Sequence, residues 1–390
     1  MKRRDLKILW SSNAHWSGSG YGIFSGQLLK RLHADGWKVA EQAFYGLEGN
    51  MATIDGIPVY PRVGDVWGSE GLVHHSRHFG ADVTLTMQDQ WSLNPNSLAN
   101  VKNWIPYTPI DKDPVPPGVT SNLRYAYRIL TFSKFGQKSL SKGGFTSKLI
   151  LEGTDTELFK PMDQAQARKD LNLPPEAFLF GMVAANKENP PRKGFQQAME
   201  AFKLFYDKHP EAALMIHVQQ PSPSGFPLEL YARHLGIEGR IFFPDPYLAV
   251  NQALSETINK EYNAFDVLLH PSSTEGFGLT VVEAQSAGTP AIIQDCHSMP
   301  ELIIPGETGW QARTAWNWFT NDGSFWHIAD VNSIYNAMEA SYVALKNDRA
   351  GVAKKCRDNI VTNFNIDTQF KEQWVTFFEG LQEELLPVKV

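Results

Sequence analysis

The sequence predicts an α/β protein of two domains, each built on a parallel sheet. Three observations carry that expectation. The chain has 390 residues, more than one ordinary core accommodates. Strand-like apolar runs alternate with helix-period segments along its length, the pattern of βαβ units. That alternation restarts near the middle, after a polar stretch punctuated by prolines.

The elements follow in order. KILWSSN reads as the first strand. IFSGQLLKRLHADG places Ile23, Phe24, Leu28, Leu29 and Leu32 at helical spacing, with Gly36 as its stop. VAEQAFY, DVTLTM, NWIPYT, YRILTF and SKLILEGT read as further strands. The second series opens with the strand FLFGMVAAN and the helix FQQAMEAFKLFYDKH, where Phe195, Met199, Phe202 and Phe205 share a face. ALMIHVQ, RIFFPD, DVLLHPS and TPAIIQD complete it. The stretch ELFKPMDQAQARKDLNLPPEA suggests a hinge near residues 155–165. The expected domains are therefore 1–160 and 161–366, with a C-terminal helix, 367–390, returning to the first.

Composition excludes several classes. The chain is 42% hydrophobic and 20% charged, as soluble globular proteins are. No apolar run is long enough to span a bilayer. The N-terminal MKRRDLKILW has too short an apolar part for a signal peptide. A cytoplasmic protein is expected, with peripheral attachment to a membrane left open. Two cysteines, Cys296 and Cys356, make neither a disulfide framework nor a four-thiolate zinc site. The net charge of −6 hides an asymmetry: residues 1–150 hold 17 Lys/Arg against 11 Asp/Glu, and the remainder 19 against 31. A basic first half suits an anionic partner, though an uneven spread of solvated charge explains it equally well.

The stretch HPSSTEGFGLTVVEAQSAGTPAII carries the chemistry. A strand, DVLLHPS, leads through STEGFG into a helix, LTVVEAQSAG. A helix start offers unpaired N–H groups and partial positive charge, a seat for phosphate. Gly276 and Gly278 let the backbone approach it. Glu283 lies about 8 Å along the helix from Gly278, its side chain leaning back toward the start. Glu275 and Glu283 would then flank an anion rather than occupy its place. Carboxylates beside a diphosphate suit neutral hydroxyls: Glu283 a ribose diol, Glu275 a sugar. Together they describe a nucleotide-sugar. In NKENPPRKGF, Arg192 and Lys193 precede a helix and could neutralise the diphosphate. WSGSGYG follows the first strand. Its glycines Gly18, Gly20 and Gly22 do not match a dinucleotide fingerprint, and it reads as a backbone loop facing the same diphosphate.

These motifs carry a resemblance. EGFGLTVVE with its Glu-x7-Glu spacing, AxxAGTPxI, PELI and GETGW resemble the donor half of the group 1 (family 4-like) retaining glycosyltransferases. AFDVLLHPS, RKGF, SGYG, TFSKFG and LEGTDTELFKP resemble the same family, so the likeness runs over about residues 7–310. It is specific in 262–309 and loose in 37–105. The resemblance implies a GT-B fold, two facing Rossmann-like domains with a cleft between them. It implies retention and metal-independent transfer from a nucleoside-diphosphate sugar to an acceptor hydroxyl, and a UDP-sugar is favoured over a GDP-sugar as the donor. By position, Glu283 would bind the donor ribose and Glu275 the transferred sugar. The backbone of Gly276, Phe277, Gly278, Leu279 and Thr280 would hold sugar and phosphate, Arg192 and Lys193 the diphosphate. Gly20, Tyr21 and Gly22 would meet the donor from the first domain. Ala185-Asn186 stands where many members have glycine-arginine. No histidine occurs in NWIPYTPIDKDPVP, so Asp111 is the polar candidate beside the sugar. No cofactor is expected.

Weaker features remain. Asp111-Lys112-Asp113 reads as a polar turn before a metal site. His74 and His78 stand at i, i+4 without a third ligand and read as a solvated helix face. His15, Trp16, Trp91, Trp104 and Trp316 are candidates to meet acceptor or sugar. The alternatives are a nucleotide-sugar epimerase of the same fold, a non-catalytic nucleotide-sugar-binding protein and, third, a dinucleotide oxidoreductase. The acceptor stays open: an anionic lipid-linked sugar, nucleic acid, protein or small molecule. No basic amphipathic helix marks a membrane surface, and no aromatic-interleaved basic stripe marks nucleic acid.

Overall fold

A computed structural model of the protein describes residues 4–218, 223–247 and 255–386. The chain divides into two compact units: Met1–Gly153 with Asn321–Ser324 and Ile366–Val390, and Thr154–Thr320 with Phe325–Asn365.

The first unit holds eight strands: β1 (Lys7–Asn13), β2 (Lys38–Tyr45), β3 (Ala52–Ile54), β4 (Ile57–Tyr60), β5 (Val83–Thr86), β6 (Trp104–Thr108), β7 (Leu130–Thr131) and β8 (Lys148–Leu149). Their order is β3-β4-β2-β1-β5-β6-β7-β8. Every pairing is parallel except the β3–β4 hairpin. Central strands of such a sheet are covered on both faces, so they read as continuous apolar runs. Trp10 on β1 and Tyr107 on β6 are buried in this way, with Trp374 of the C-terminal segment against both rings at 6.0 and 5.1 Å. Trp104, a candidate for sugar stacking by sequence, is also core: it is 1% exposed and donates Nε1–H to Thr86 Oγ1.

The second unit adds β9 (Phe178–Val183), β10 (Ala212–His217), β11 (Ile241–Phe242), β12 (Val267–His270), β13 (Ala291–Gln294) and β14 (Gly309–Ala312), all parallel. An antiparallel hairpin, β15 (Thr314–Phe319) and β16 (Phe325–Ala329), follows. The sheet order is β11-β10-β9-β12-β13-β14. From β9 the chain runs outward to β10 on one side and later returns to β12 on the other. The chain beyond β9 and the chain beyond β12 therefore run to opposite sides of the sheet, and such a switch point is where parallel sheets take ligands. Phe195, Met199, Phe202 and Phe205 all lie in the core, as their spacing predicts. A 33-residue helix, Val331–Asn363, broken at Asp348 (φ −151°, ψ 70°), covers the same sheet. No described helix is long and apolar enough to cross a membrane.

Candidate functional site

Two loops build the site of the second unit, one leaving β9 and one leaving β12. They are stitched together. Ser273 N–H donates to Arg192 O at 2.7 Å, and Arg192 Nη1 donates back to Thr274 O at 2.8 Å. Gly194 sits at φ +70°, and a Cβ there would meet Pro271 O at 2.2 Å, so only glycine admits this approach. Ser298 Oγ donates to the carbonyls of Glu275 and Phe277 at 2.8 and 3.0 Å, fixing the turn before the helix Leu279–Ser286. Gly278 caps that helix at φ 117° with no side-chain cap, leaving the start open to a ligand.

The structure brings Glu275, Arg192 and Lys193 together. Lys193 Nζ donates to Glu275 Oε1, and Arg192 Nη1 stands 3.8 Å from the same oxygen. His270, at the carboxyl end of β12, is the third partner: its Nε2 lies 3.2 Å from Glu275 Oε1. Burial alone would raise the Glu275 pKa. The Lys193 ammonium, the His270 hydrogen bond and the Arg192 guanidinium outweigh it and hold the carboxyl well below the usual range. Burial lowers the pKa of His270, with Glu275 opposing, so the ring is neutral at physiological pH. In that form Nε2–H donates to Glu275, and Nδ1 accepts from Thr280 Oγ1 at 3.1 Å. Burial and Arg192 also lower the Lys193 pKa. All these contacts fall on Oε1 of Glu275, so Oε2 is kept for another partner.

Glu283 is in the opposite state. It is 3% exposed, and its Oε2 accepts from Tyr262 O–H at 2.7 Å. Its Oε1 is buried without a partner. Burial pushes its pKa up to about 8, with the Tyr262 hydrogen bond pulling the other way. One helix thus carries a deprotonated glutamate just before its start and a largely protonated one a turn and a half inside.

His270 and Tyr262 were not singled out by sequence. His270 ends a strand at the switch point of the sheet, a position that itself marks ligand residues in parallel sheets. Tyr262 lies on the helix Ser255–Ala264, and nothing local ties it to Glu283. Asn186, which stands where many members of the resembled family have arginine, is buried. It donates to Phe226 O at 2.9 Å and accepts from Phe226 N–H at 2.8 Å, holding the loop after β10.

Gly20, Tyr21, Gly22 and Asp111 belong to the first unit. Gly20, Tyr21 and Gly22 start the helix Gly20–Ala34, whose cap Ser19 accepts from Gly22 N–H at 3.1 Å. A Cβ on Gly22 would meet Ser17 Oγ at 2.1 Å and Ala14 O at 2.7 Å, so the loop's own packing demands glycine there. His15 is buried, its Nδ1 2.6 Å from Glu41 Oε2 and its Nε2 3.5 Å from Asp55 Oδ2. Trp16 and Trp91 are exposed, and so is Trp316 in the second unit. Asp111 follows β6. Its neighbours Lys112 and Asp113 pair with Asp322 and Lys142. Among the described residues no group of three metal-ligating side chains occurs, near Asp111, His74 or elsewhere.

Residues 163–318 match the model of "Glycosyl transferases group 1". A D-inositol 3-phosphate glycosyltransferase of Corynebacterium glutamicum (strain R) is 32% identical over 168 residues, 41% of this chain and 38% of that protein. The chain therefore matches well under half the length of this curated relative. Among solved structures, a glycosyltransferase from Rickettsia africae ESF-5 superposes with a TM-score of 0.74 at 14% identity, over 99% of this chain and 100% of that one. Anabaena Alr3699/HepE in complex with UDP-glucose gives 0.72 at 16% identity, over 96% and 100%. The matched segment contains the Glu275 cluster, Glu283 and the helix start between them; it is this segment, residues 163–318, that matches the group 1 glycosyltransferases, and the chain as a whole has the two Rossmann-like domains of the GT-B fold.

Proposed function

We propose that the protein transfers a glycosyl group from a nucleoside-diphosphate sugar, UDP-linked rather than GDP-linked, to an acceptor hydroxyl, with retention and without a metal ion. The observation that carries this reading is the unpartnered Oε1 of Glu283, buried beside an open helix start. A buried polar atom without a hydrogen-bond partner costs about 1–3 kcal/mol, which a ribose hydroxyl would relieve. The adjacent helix start then receives the diphosphate, and Glu275 Oε2 accepts from a hydroxyl of the sugar.

In the reaction, the bond from the anomeric carbon to the diphosphate breaks, and its electron pair leaves with the diphosphate. The acceptor oxygen bonds the anomeric carbon on the same face, and its proton passes to a departing phosphate oxygen. Negative charge grows on the diphosphate, where Arg192, Lys193 and the helix start oppose it; fixed groups of this kind supply a large part of catalysis. The UDP preference draws on the Anabaena protein, which was solved with UDP-glucose. The name of the Corynebacterium relative makes a phosphorylated polyol the first acceptor to try.

Thermal unfolding with UDP, GDP, ADP and NAD, with and without Mg²⁺, tests the donor. UDP at 100 times its Kd should add about 2.7 kcal/mol. The gain should be indifferent to Mg²⁺ and lost in Glu283→Ala. A response to NAD alone would overturn the reading. Glu275→Gln should keep the fold and the nucleotide affinity while lowering turnover about a hundredfold.

A further inference from the structure

The basic excess of the first half is not spread over it. Residues 1–113 carry 11 Lys/Arg and 11 Asp/Glu, whereas residues 114–150 carry six Lys/Arg and no carboxylate side chain. The whole excess therefore sits in Arg124, Arg128, Lys134, Lys138, Lys142 and Lys148.

Carboxylates from outside the segment meet Arg128 and Lys142 among these. Arg128 pairs with Glu384 at 2.6 Å, and Lys142 pairs with Asp113. Lys148 rests over the Phe377 ring, 5.3 Å from its centre. Lys134 and Lys138 stand one turn apart on the helix Lys134–Lys142 and line a groove of about 410 Å³. Its other wall is the loop after the helix, with Phe145, Thr146 and Ser147, and Ser141 of the helix itself also lines it. The loop is held in place: Gln137 Nε2–H donates to Ser147 O at 3.1 Å, and Phe145 N–H to Leu140 O at 3.0 Å. Ser147 Oγ is buried with no hydrogen-bond partner. Among the described residues Lys138 has no carboxylate partner. The groove thus offers the Lys138 ammonium beside hydroxyl donors, with Lys134 on the same wall and no carboxylate among its lining residues, within the volume range of small-ligand sites, about 300–1,000 Å³.

We propose that this groove binds a phosphate group carried on an organic alcohol, either a lipid headgroup or a soluble polyol phosphate. Lysine supplies the positive charge as a mobile point donor. Ser141, Thr146 and Ser147 supply O–H donors to the phosphate oxygens, and the orphaned Ser147 hydroxyl gains its partner. The groove lies in the first unit, whereas Glu275, Glu283, Arg192 and Lys193 lie in the second, so each can fail alone.

The test uses the full chain and two variants, Lys134→Glu/Lys138→Glu and Lys134→Arg/Lys138→Arg. One arm measures co-sedimentation with phosphatidylglycerol vesicles against phosphatidylcholine vesicles. The other measures binding of inositol phosphate by calorimetry. Wild type should bind in at least one arm, the Glu variant at least about tenfold more weakly, and the Arg variant near wild type. UDP-induced stabilisation should be equal in all three, which shows that the fold is intact. Binding to anionic vesicles alone identifies a lipid headgroup; binding to inositol phosphate alone identifies a soluble phosphate. No binding in either arm, or equal binding by the Glu variant, overturns the proposal.

Discussion

Two glutamates eight positions apart in sequence end in opposite protonation states, and their neighbours decide it. Glu275 is held ionised by Lys193, His270 and Arg192, whereas Glu283 is buried with Tyr262 alone and titrates near 8. A carboxyl whose folded pKa lies above its unfolded value makes the folded state hold an extra proton. Its stabilising contribution is present below the ordinary pKa of 4.5 and is lost as pH rises toward 8. Glu283→Gln should therefore gain on wild type between pH 5 and 8, by up to a few kcal/mol, in denaturant unfolding of the ligand-free protein. Ribose hydroxyls donate to the ionised form and would expel that proton. UDP affinity should then tighten from pH 6 to 8, at most about tenfold per unit, and stay flat in the variant. A wild-type profile as flat as the variant's would remove Glu283 from the nucleotide site. The glutamate spacing and the Arg192-Lys193 pair were legible because each lies inside one short motif. The protonation contrast was not, since Tyr262 comes from an element whose packing no local pattern reveals.

At the level of elements, the site depends on two loops approaching closely, and glycine conformations permit it. Gly194 and Gly236 make a controlled pair. Both lie in the left-handed region, at φ +70° and +68°. A Cβ on Gly236 meets nothing within 4 Å, whereas one on Gly194 would meet Pro271 O at 2.2 Å. Gly236→Ala should cost about 1 kcal/mol for the backbone conformation alone. Gly194→Ala must also push the two loops apart, so it should cost more and weaken UDP binding at least about tenfold. Equal effects of the two in thermal unfolding and UDP titration would mean that the loop contact does not hold the site. The parallel strands were legible because burial on both faces leaves unbroken apolar runs, as in KILWSSN and FLFGMV. The β15–β16 hairpin was not. Trp316 and Trp318 on it are 51% and 40% exposed, so no buried face imposes a strand pattern there, and Trp316 read only as a candidate to meet sugar. The helix Val331–Asn363 escaped notice because its break at Asp348, near Gly351, interrupts the periodicity.

For the whole molecule, the division into two units makes a prediction about what a ligand can stabilise. Each unit has its own sheet and its own buried core, and the chain passes from one to the other after residues 153, 320, 324 and 365. A chain of this kind need not unfold in one step. A ligand stabilises only those openings that destroy its contacts. Glu275, Glu283, Arg192, Lys193, His270 and the helix start all lie in the second unit. Saturating UDP should therefore slow amide exchange across 178–194 and 267–294, in β9, β12, β13 and the loops that leave β9 and β12. It should leave β5 and β6 of the first unit unchanged. Hydrogen exchange read by mass spectrometry checks this segment by segment. The stretch to watch is 14–22. Added protection there would mean that the glycine loop with Gly20, Tyr21 and Gly22 also meets the donor, as the sequence expectation holds. Unchanged exchange in 14–22, together with protection in the second unit, would confine nucleotide recognition to the second unit. The close packing of Gly22 against Ala14 and Ser17 would then be the whole reason for glycine at that position.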